Sequence, residues 1–215
     1  MKYGFIKVAT AVPRVKVADC MANVEEIKNL VLEADKKGVQ VVLFPELALT
    51  GATCGDLFAQ PLLHDAAREA LMQLLCDTRH CNVIAVVGMP LSAGNSLLNA
   101  AVVIYQGSVL GVVPKTILNG DEKRWFTTLD YFGTDSLTLC NQEVLVGSQI
   151  LFRMGHSTFS IAFSADVQAP KSIADNLALQ GAEMLLIPAA DNDVLGRYTY
   201  TTQQLTQQSA ALLAA

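Results

Sequence analysis

The stretch that decides the fold is Leu43-Phe44-Pro45-Glu46-Leu47-Ala48-Leu49-Thr50-Gly51. It follows Val39-Gln40-Val41-Val42, a mostly β-branched run after Gly38, which predicts a buried strand that ends in a turn at Pro45. Glu46 is therefore expected just beyond the carboxyl end of a strand, where open α/β sheets place their ligand chemistry. A carboxylate among apolar neighbours is poorly solvated, which predicts a raised pKa or a cationic partner. The alternative is an ordinary glutamate in a surface turn.

The composition is that of a globular chain rich in apolar residues. A length of 215 residues fits one domain, and 52% hydrophobic with 16% charged residues favours a large multilayer core, a subunit interface, or both. The net charge of −5 gives no electrostatic signature of nucleic-acid or anionic-membrane binding. No apolar run approaches the ~20 residues of a membrane span. We therefore expect neither nucleic acid nor a membrane as a partner.

The cysteines and the N-terminus predict a cytoplasmic protein. Five scattered cysteines, an odd number, favour reduced thiols, and the alternating start Met1 to Val8 predicts a strand and not a signal peptide. The segment 76–81 has metal-ligand residue types, but no second cluster supplies further ligands. The sequence also has no glycine-rich phosphate loop. We expect no metal and no cofactor in this chain.

Hydrophobic periodicity predicts an α/β fold with a mixed sheet. Asp19 is expected to cap the first helix, and Gln106-Gly107 to close a hairpin. The segment 116–135 is polar and irregular, and the last helix has no stop signal, which leaves truncation at the C-terminus open. The predicted helices cover 20–37, 64–78, 171–180 and 197–215. The predicted strands cover 3–12, 39–43, 83–88, 95–105, 108–114, 143–146, 150–152, 158–163 and 183–187.

Three residues follow apolar runs at predicted strand ends: Glu46, Lys115 and Ser164. A buried carboxylate, a buried lysine and a nucleophile together suit acyl transfer. The carboxylate takes a proton, the lysine stabilises the developing oxyanion, and the nucleophile holds the acyl group.

Eight motifs in chain order carry a resemblance to a known family. They are Phe44-Pro45-Glu46-Leu47-x-Leu49-Thr50-Gly51, Cys54-Gly55-Asp56-Leu57-Phe58, Gly88-Met89-Pro90, Asn99-Ala100-Ala101-Val102-Val103, Gly111-Val112-Val113-Pro114-Lys115-Thr116, Arg124-Trp125-Phe126, Leu179-Gln180-Gly181-Ala182-Glu183 and Ala190-Asp191-Asn192. Together they resemble the nitrilase superfamily of carbon-nitrogen hydrolases, and more narrowly the glutamine-hydrolysing domain of glutamine-dependent NAD synthetase.

The resemblance implies a four-layer α-β-β-α sandwich, formed by a single domain over residues 1–215 with no synthetase domain in the chain. It also implies dimerisation and a Glu-Lys-Cys triad that releases ammonia from glutamine. Glu46 matches the general base and Lys115 the lysine that stabilises the transition state. The nucleophile position falls on Ser164 in Ala162-Phe163-Ser164-Ala165-Asp166, where the family pattern is similar to Glu-Ile-Cys-Glu-Asp. Glu122 is the nearest match to a substrate-binding acid, with a solvated loop charge as its alternative.

Several departures from the family pattern occur together. Ala52 stands where the family has tyrosine, and the loop 117–123 is several residues short. A serine hydroxyl is also far less acidic than a thiol. These coordinated changes favour natural drift over an engineered single substitution and predict impaired or absent glutaminase activity. A non-catalytic scaffold and an amidase of another nitrilase branch remain the alternatives. Stability alone could retain a buried Glu46–Lys115 pair, since breaking such a pair costs ~3–5 kcal/mol.

Overall fold

The structure is a computed structural model that describes residues 5–94, 96–129, 135–170 and 172–215. Its larger sheet has five strands in the order β1-β2-β3-β4-β5. β1 pairs with β2 and β2 with β3 in parallel, whereas β3 pairs with β4 and β4 with β5 in antiparallel fashion. The prediction of a mixed sheet is therefore confirmed. These strands are β1 (Val8–Thr10), β2 (Val41–Leu43), β3 (Ile84–Ala93), β4 (Ser96–Tyr105) and β5 (Ser108–Pro114).

The predicted hairpin joins β4 to β5 through Gln106 and Gly107. Both residues have positive φ, +48° and +80°, as a two-residue turn that follows the twist of its strands requires. The hairpin pairs Ala100 with Pro114, which puts Lys115 beside Asn99 at the end of β5. Turn chemistry thus sets the register that positions the lysine.

Two helices cover one face of this sheet: α1 (Cys20–Lys36) and α2 (Pro61–Asp77). Asp19 caps α1 as predicted, because its Oδ1 accepts a hydrogen bond from the Ala22 N–H at 3.0 Å. The apolar side chains of α1 recur at helical spacing, and Val24, Ile27 and Val31 are buried against the sheet. These contacts form the first of three hydrophobic cores.

A second sheet of three strands packs on the other face. It has the order β10-β9-β8, with β8 (Phe152–Met154) antiparallel to β9 (Ser157–Ile161), and β9 parallel to β10 (Met184–Leu186). The two sheets share a core of buried side chains that includes Val86, Val103 and Phe159. This core is the second of the three.

The outer face of the second sheet is covered by the short helices α3 (Ser164–Val167) and α4 (Ile173–Leu179) and by the longer helix α5 (Arg197–Leu212). Leu205 and Leu212 of α5 pack with Ala174 and Leu177 of α4 in the third core. Three cores separate four layers, so the chain folds as the α-β-β-α sandwich that the family resemblance implied.

Some elements differ from the predictions. The first strand covers only Val8–Thr10, and a small hairpin of β6 (Ser136–Leu139) and β7 (Gln142–Leu145) replaces the single run predicted at 143–146. Parts of other predictions lie outside the described residues, namely 3–4, 95, 130–134 and 171. Within the described residues, no helix is both long enough and apolar enough to cross a membrane.

Candidate active site

Glu46 lies in the turn after β2 and is only 3% exposed, so it is not a surface glutamate. Its Oε2 accepts hydrogen bonds from Lys115 Nζ at 2.8 Å and from Asn99 Nδ2 at 2.9 Å. Burial raises the pKa of Glu46, and these two donors oppose that shift without cancelling it. The carboxylate is therefore a stronger proton acceptor than an exposed glutamate.

Lys115 is 2% exposed and stands immediately after β5. Its Nζ contacts both Glu46 Oε2 and Glu122 Oε1 at 2.8 Å. Burial lowers the pKa of Lys115, but the two carboxylates outweigh burial, and the net pKa is raised. The ammonium group is thus held in its charged form between two acids.

Glu122 begins the 3₁₀ helix Glu122–Arg124, and its side chain is 21% exposed. Its second oxygen, Oε2, accepts the Asn119 backbone N–H at 2.8 Å. Both carboxylate oxygens are therefore engaged, which is not the arrangement of a solvated loop charge. A role for Glu122 in substrate binding stays a prediction.

Ser164 is the first residue of α3 and is 6% exposed. Its backbone N–H donates to the Pro188 carbonyl at 3.2 Å. Its hydroxyl Oγ has no hydrogen-bond partner among the described residues, and the same is true of Asn99 Oδ1. A buried polar atom without a partner is uncommon and calls for an explanation, such as a catalytic role or a missing ligand.

Asp166 belongs to the nucleophile motif, but no pattern in the sequence assigned it a role. It is 2% exposed and accepts hydrogen bonds from the Thr116 hydroxyl at 2.7 Å and from the Ile117 N–H at 2.6 Å. It also accepts the Phe163 N–H at 3.3 Å. Asp166 thereby joins the residues directly after Lys115 to α3, the short helix that begins at Ser164.

Asn99 is a second residue whose role sequence reasoning missed. It interrupts the apolar run of β4, where the other residues from Leu97 to Ile104 are apolar and buried. A lone amide in a fully buried strand was the signal that could have identified it, because buried polar side chains need partners. Its side-chain Nδ2 donates a hydrogen bond to Glu46 Oε2, and its backbone carbonyl accepts the Lys115 backbone N–H at 2.8 Å.

The structure brings Glu46, Lys115 and Glu122 into one hydrogen-bonded group. Ser164 is not hydrogen-bonded to that group, although the neighbouring Phe163 ring lies 6.0 Å from Lys115 Nζ. The described residues contain no group of three or more His, Cys, Asp or Glu side chains placed to hold a metal ion.

A cavity of about 700 Å³ opens beside Glu46. Its lining includes Glu46 but neither Lys115 nor Ser164. Ala189, which lines the cavity, directly follows the Pro188 that accepts the Ser164 N–H. Aliphatic side chains dominate the walls, among them Val12, Val15, Val17, Leu47 and Ala48.

Comparison with known proteins gives a consistent result. The family model described as carbon-nitrogen hydrolase matches residues 7–214. The chain is 28% identical over 221 residues to a glutamine-dependent NAD(+) synthetase of Mycobacterium bovis, covering 100% of this chain and 32% of the relative. It is 30% identical over 188 residues to that of Aquifex aeolicus, covering 86% of this chain and 30% of the relative. The chain thus spans about a third of the length of these curated relatives.

Solved structures support the same fold. The glutamine-dependent NAD(+) synthetase from Cytophaga hutchinsonii superposes with a TM-score of 0.82 at 21% identity, covering 95% of this chain and 34% of that one. An amidase from Nesterenkonia sp. superposes with a TM-score of 0.71 at 22% identity, covering 90% of this chain and 68% of that one.

Proposed function

Since this chain belongs to the carbon-nitrogen hydrolase family of the nitrilase superfamily, we propose that it is a glutaminase-type domain whose nucleophile is Ser164 and whose activity is impaired. The observation that carries the proposal is the contrast between two parts of the site. Glu46 and Lys115 form a buried ion pair at 2.8 Å, whereas the buried Ser164 Oγ has no hydrogen-bond partner among the described residues.

The chemistry would be amide hydrolysis through an acyl-enzyme. Glu46 accepts the Ser164 hydroxyl proton while Oγ attacks the amide carbonyl carbon, and Lys115 donates a hydrogen bond to the resulting oxyanion. Glu46 then gives the proton to the leaving nitrogen, which departs as ammonia. A water molecule, deprotonated by Glu46, attacks the Ser164 ester carbonyl carbon; the bond to Oγ breaks, Glu46 returns the proton to Oγ, and the carboxylic acid is released.

Two features of the site are expected to slow this reaction. A hydroxyl is much less acidic than the thiol that the family has at this position, so Glu46 must remove a more tightly held proton. Glu46 Oε2 is also committed to Lys115 and Asn99, which leaves Oε1 as the atom available to accept that proton. The raised pKa of Glu46 partly compensates, because it strengthens the base.

The proposal extends to the substrate, the partner domain, the oligomeric state and the compartment. The substrate would be a small amide such as glutamine, and a synthetase domain outside this chain would use the ammonia, as the longer relatives suggest. We propose a homo-oligomer in the cytoplasm. All five cysteines are free, which suits a reducing compartment.

Ammonia release from glutamine by the unmodified chain, a Ser164→Cys variant and a Glu46→Gln variant tests the proposal. We expect slow release by the unmodified chain, release faster by about 10²-fold or more with cysteine, and none after Glu46→Gln. Activity that survives Glu46→Gln would contradict the role of Glu46 as the general base.

Two other functions remain in competition. A non-catalytic scaffold is favoured by the lack of a hydrogen bond from Ser164 Oγ to Glu46. It would be supported if neither the unmodified chain nor Ser164→Cys released ammonia. An amidase of another nitrilase branch is favoured by the aliphatic cavity walls, and ammonia release from aliphatic amides but not glutamine would support that function.

A further inference from the structure

The cavity beside Glu46 contains an ion pair that the chemistry above does not use. Arg197, the first residue of α5, places Nη2 2.8 Å from Asp191 Oδ2, and both residues line the cavity. The two side chains are only 33% and 26% exposed. Their partial burial makes the pair less screened by water than a contact at the open surface.

Arg197 is the one cationic side chain among the lining residues, which are all described. A guanidinium binds carboxylates through two parallel hydrogen bonds. The N-terminus of the 16-residue helix α5 adds partial positive charge at the same place. Arginine and helix end together form the position in this cavity best suited to a carboxylate.

Asp191 already supplies that carboxylate. An anionic ligand would have to displace Asp191 from Arg197 or lie next to it as a like charge. Asp193 is a further carboxylate in the lining and also opposes an anion, whereas the charge of Glu46 is offset by Lys115. The aliphatic walls, by contrast, suit an uncharged alkyl chain.

We propose that Asp191 occupies the carboxylate-binding position of this cavity, so that the cavity binds amides with an uncharged aliphatic chain in preference to amides that bear a carboxylate. This specificity rests on the proposed function, because it takes the ligands to be amides.

Binding of two amides of similar length separates charge from size: pentanamide, which is uncharged, and 4-carbamoylbutanoate, which carries a carboxylate. Affinities would be measured by NMR titration, which needs no turnover. We expect the unmodified chain to bind pentanamide about tenfold more tightly, and Asp191→Asn to bring the two affinities together or reverse their order.

Asp193→Asn is the matched control, because it removes the same charge from the same cavity without breaking the contact with Arg197. It should leave most of the preference for pentanamide in place. Adding Arg197→Gln to Asp191→Asn should abolish the gain in carboxylate binding. Circular dichroism of each variant confirms that the fold is retained.

Equal effects of Asp191→Asn and Asp193→Asn would overturn the proposal, as would equal binding of the two amides by the unmodified chain or no binding of either. Failure of the proposed function has a different signature. In that case pentanamide binds with the expected preference, but neither the unmodified chain nor Ser164→Cys releases ammonia from any amide.

Discussion

Asp166 binds Thr116 through two groups at once: its carboxylate accepts the Thr116 backbone N–H at 3.1 Å and the Thr116 hydroxyl at 2.7 Å. Thr116 directly follows Lys115, and Asp166 lies two residues after Ser164. The contact therefore joins the end of β5 in one sheet to α3, the short helix that follows β9 of the other sheet. It connects the segment that carries Lys115, the candidate oxyanion-stabilising group, to the helix that carries Ser164, the candidate nucleophile.

Replacing Asp166 with asparagine should destabilise this connection. The amide retains one acceptor oxygen, but its NH₂ group would face a backbone N–H that now donates to the carboxylate. An unsatisfied buried donor costs about 1–3 kcal/mol, so we expect a loss of that size in the free energy of unfolding. Urea denaturation measures it, with the exposed Asp175→Asn in α4 as the control that should change little. Equal losses in the two variants would contradict the assigned role.

The same residue predicts a pH dependence. Burial raises the pKa of Asp166 above its usual 3.8, and its hydrogen bonds reduce that shift without reversing it. The folded state therefore binds this proton more tightly than the unfolded state, and the group contributes stability that is present at low pH and lost as pH rises through the folded pKa. The unfolding free energy of the unmodified chain minus that of Asp166→Asn should fall from about pH 4 towards neutrality. A difference that rises with pH would mean that the hydrogen bonds outweigh burial.

The α/β class with a mixed sheet and three site positions could be predicted from local sequence signals, whereas the four-layer arrangement followed from the family resemblance. Apolar runs that end in turns predicted the strand ends at Glu46, Lys115 and Ser164, and the structure places each of these residues just after a strand. The β6–β7 hairpin was missed because its turn residues, Cys140 and Asn141, adopt positive φ without a glycine to signal it.

The network around the site could not be predicted in the same way. Asp166 contacts residues 49 and 50 positions away in the chain, and Asn99 contacts Glu46 across 53 positions. No periodicity encodes such distances, which depend on how two sheets pack. The pairing of Asp191 with Arg197 likewise depends on where α5 begins relative to β10.

Replacing Lys115 with methionine should leave Glu46 buried without its cation. Because breaking a buried pair from one side leaves an uncompensated charge, we expect a loss of ~3–5 kcal/mol in the free energy of unfolding. Adding Glu46→Gln should recover part of that loss, since the double variant has no carboxylate at residue 46 that would be left buried without a partner. Lys123→Met is the control at an exposed lysine of the nearby 3₁₀ helix Glu122–Arg124. Purely additive effects of the two substitutions would contradict a coupled pair.

The turn that carries Glu46 depends on a glycine in the neighbouring strand. A Cβ atom built on Gly88 of β3 would lie 2.4 Å from both the Leu47 backbone N and the Pro45 carbonyl oxygen. These are backbone atoms of the turn itself and cannot rotate away as a side chain would. Gly88→Ala must therefore displace the turn, and with it the Glu46 carboxylate, from Lys115 and Asn99.

We expect Gly88→Ala to lower the free energy of unfolding by about 1–3 kcal/mol, the usual cost of overpacking, and to reduce any amide hydrolysis at temperatures where the variant remains folded. Gly120→Ala is a matched control, because a Cβ at Gly120 meets no atom within 4 Å. Thermal unfolding and ammonia release would be measured for both variants. Unchanged stability in Gly88→Ala would show that the turn tolerates displacement. Unchanged hydrolysis in a destabilised variant would show that Glu46 need not keep this position to act as the base.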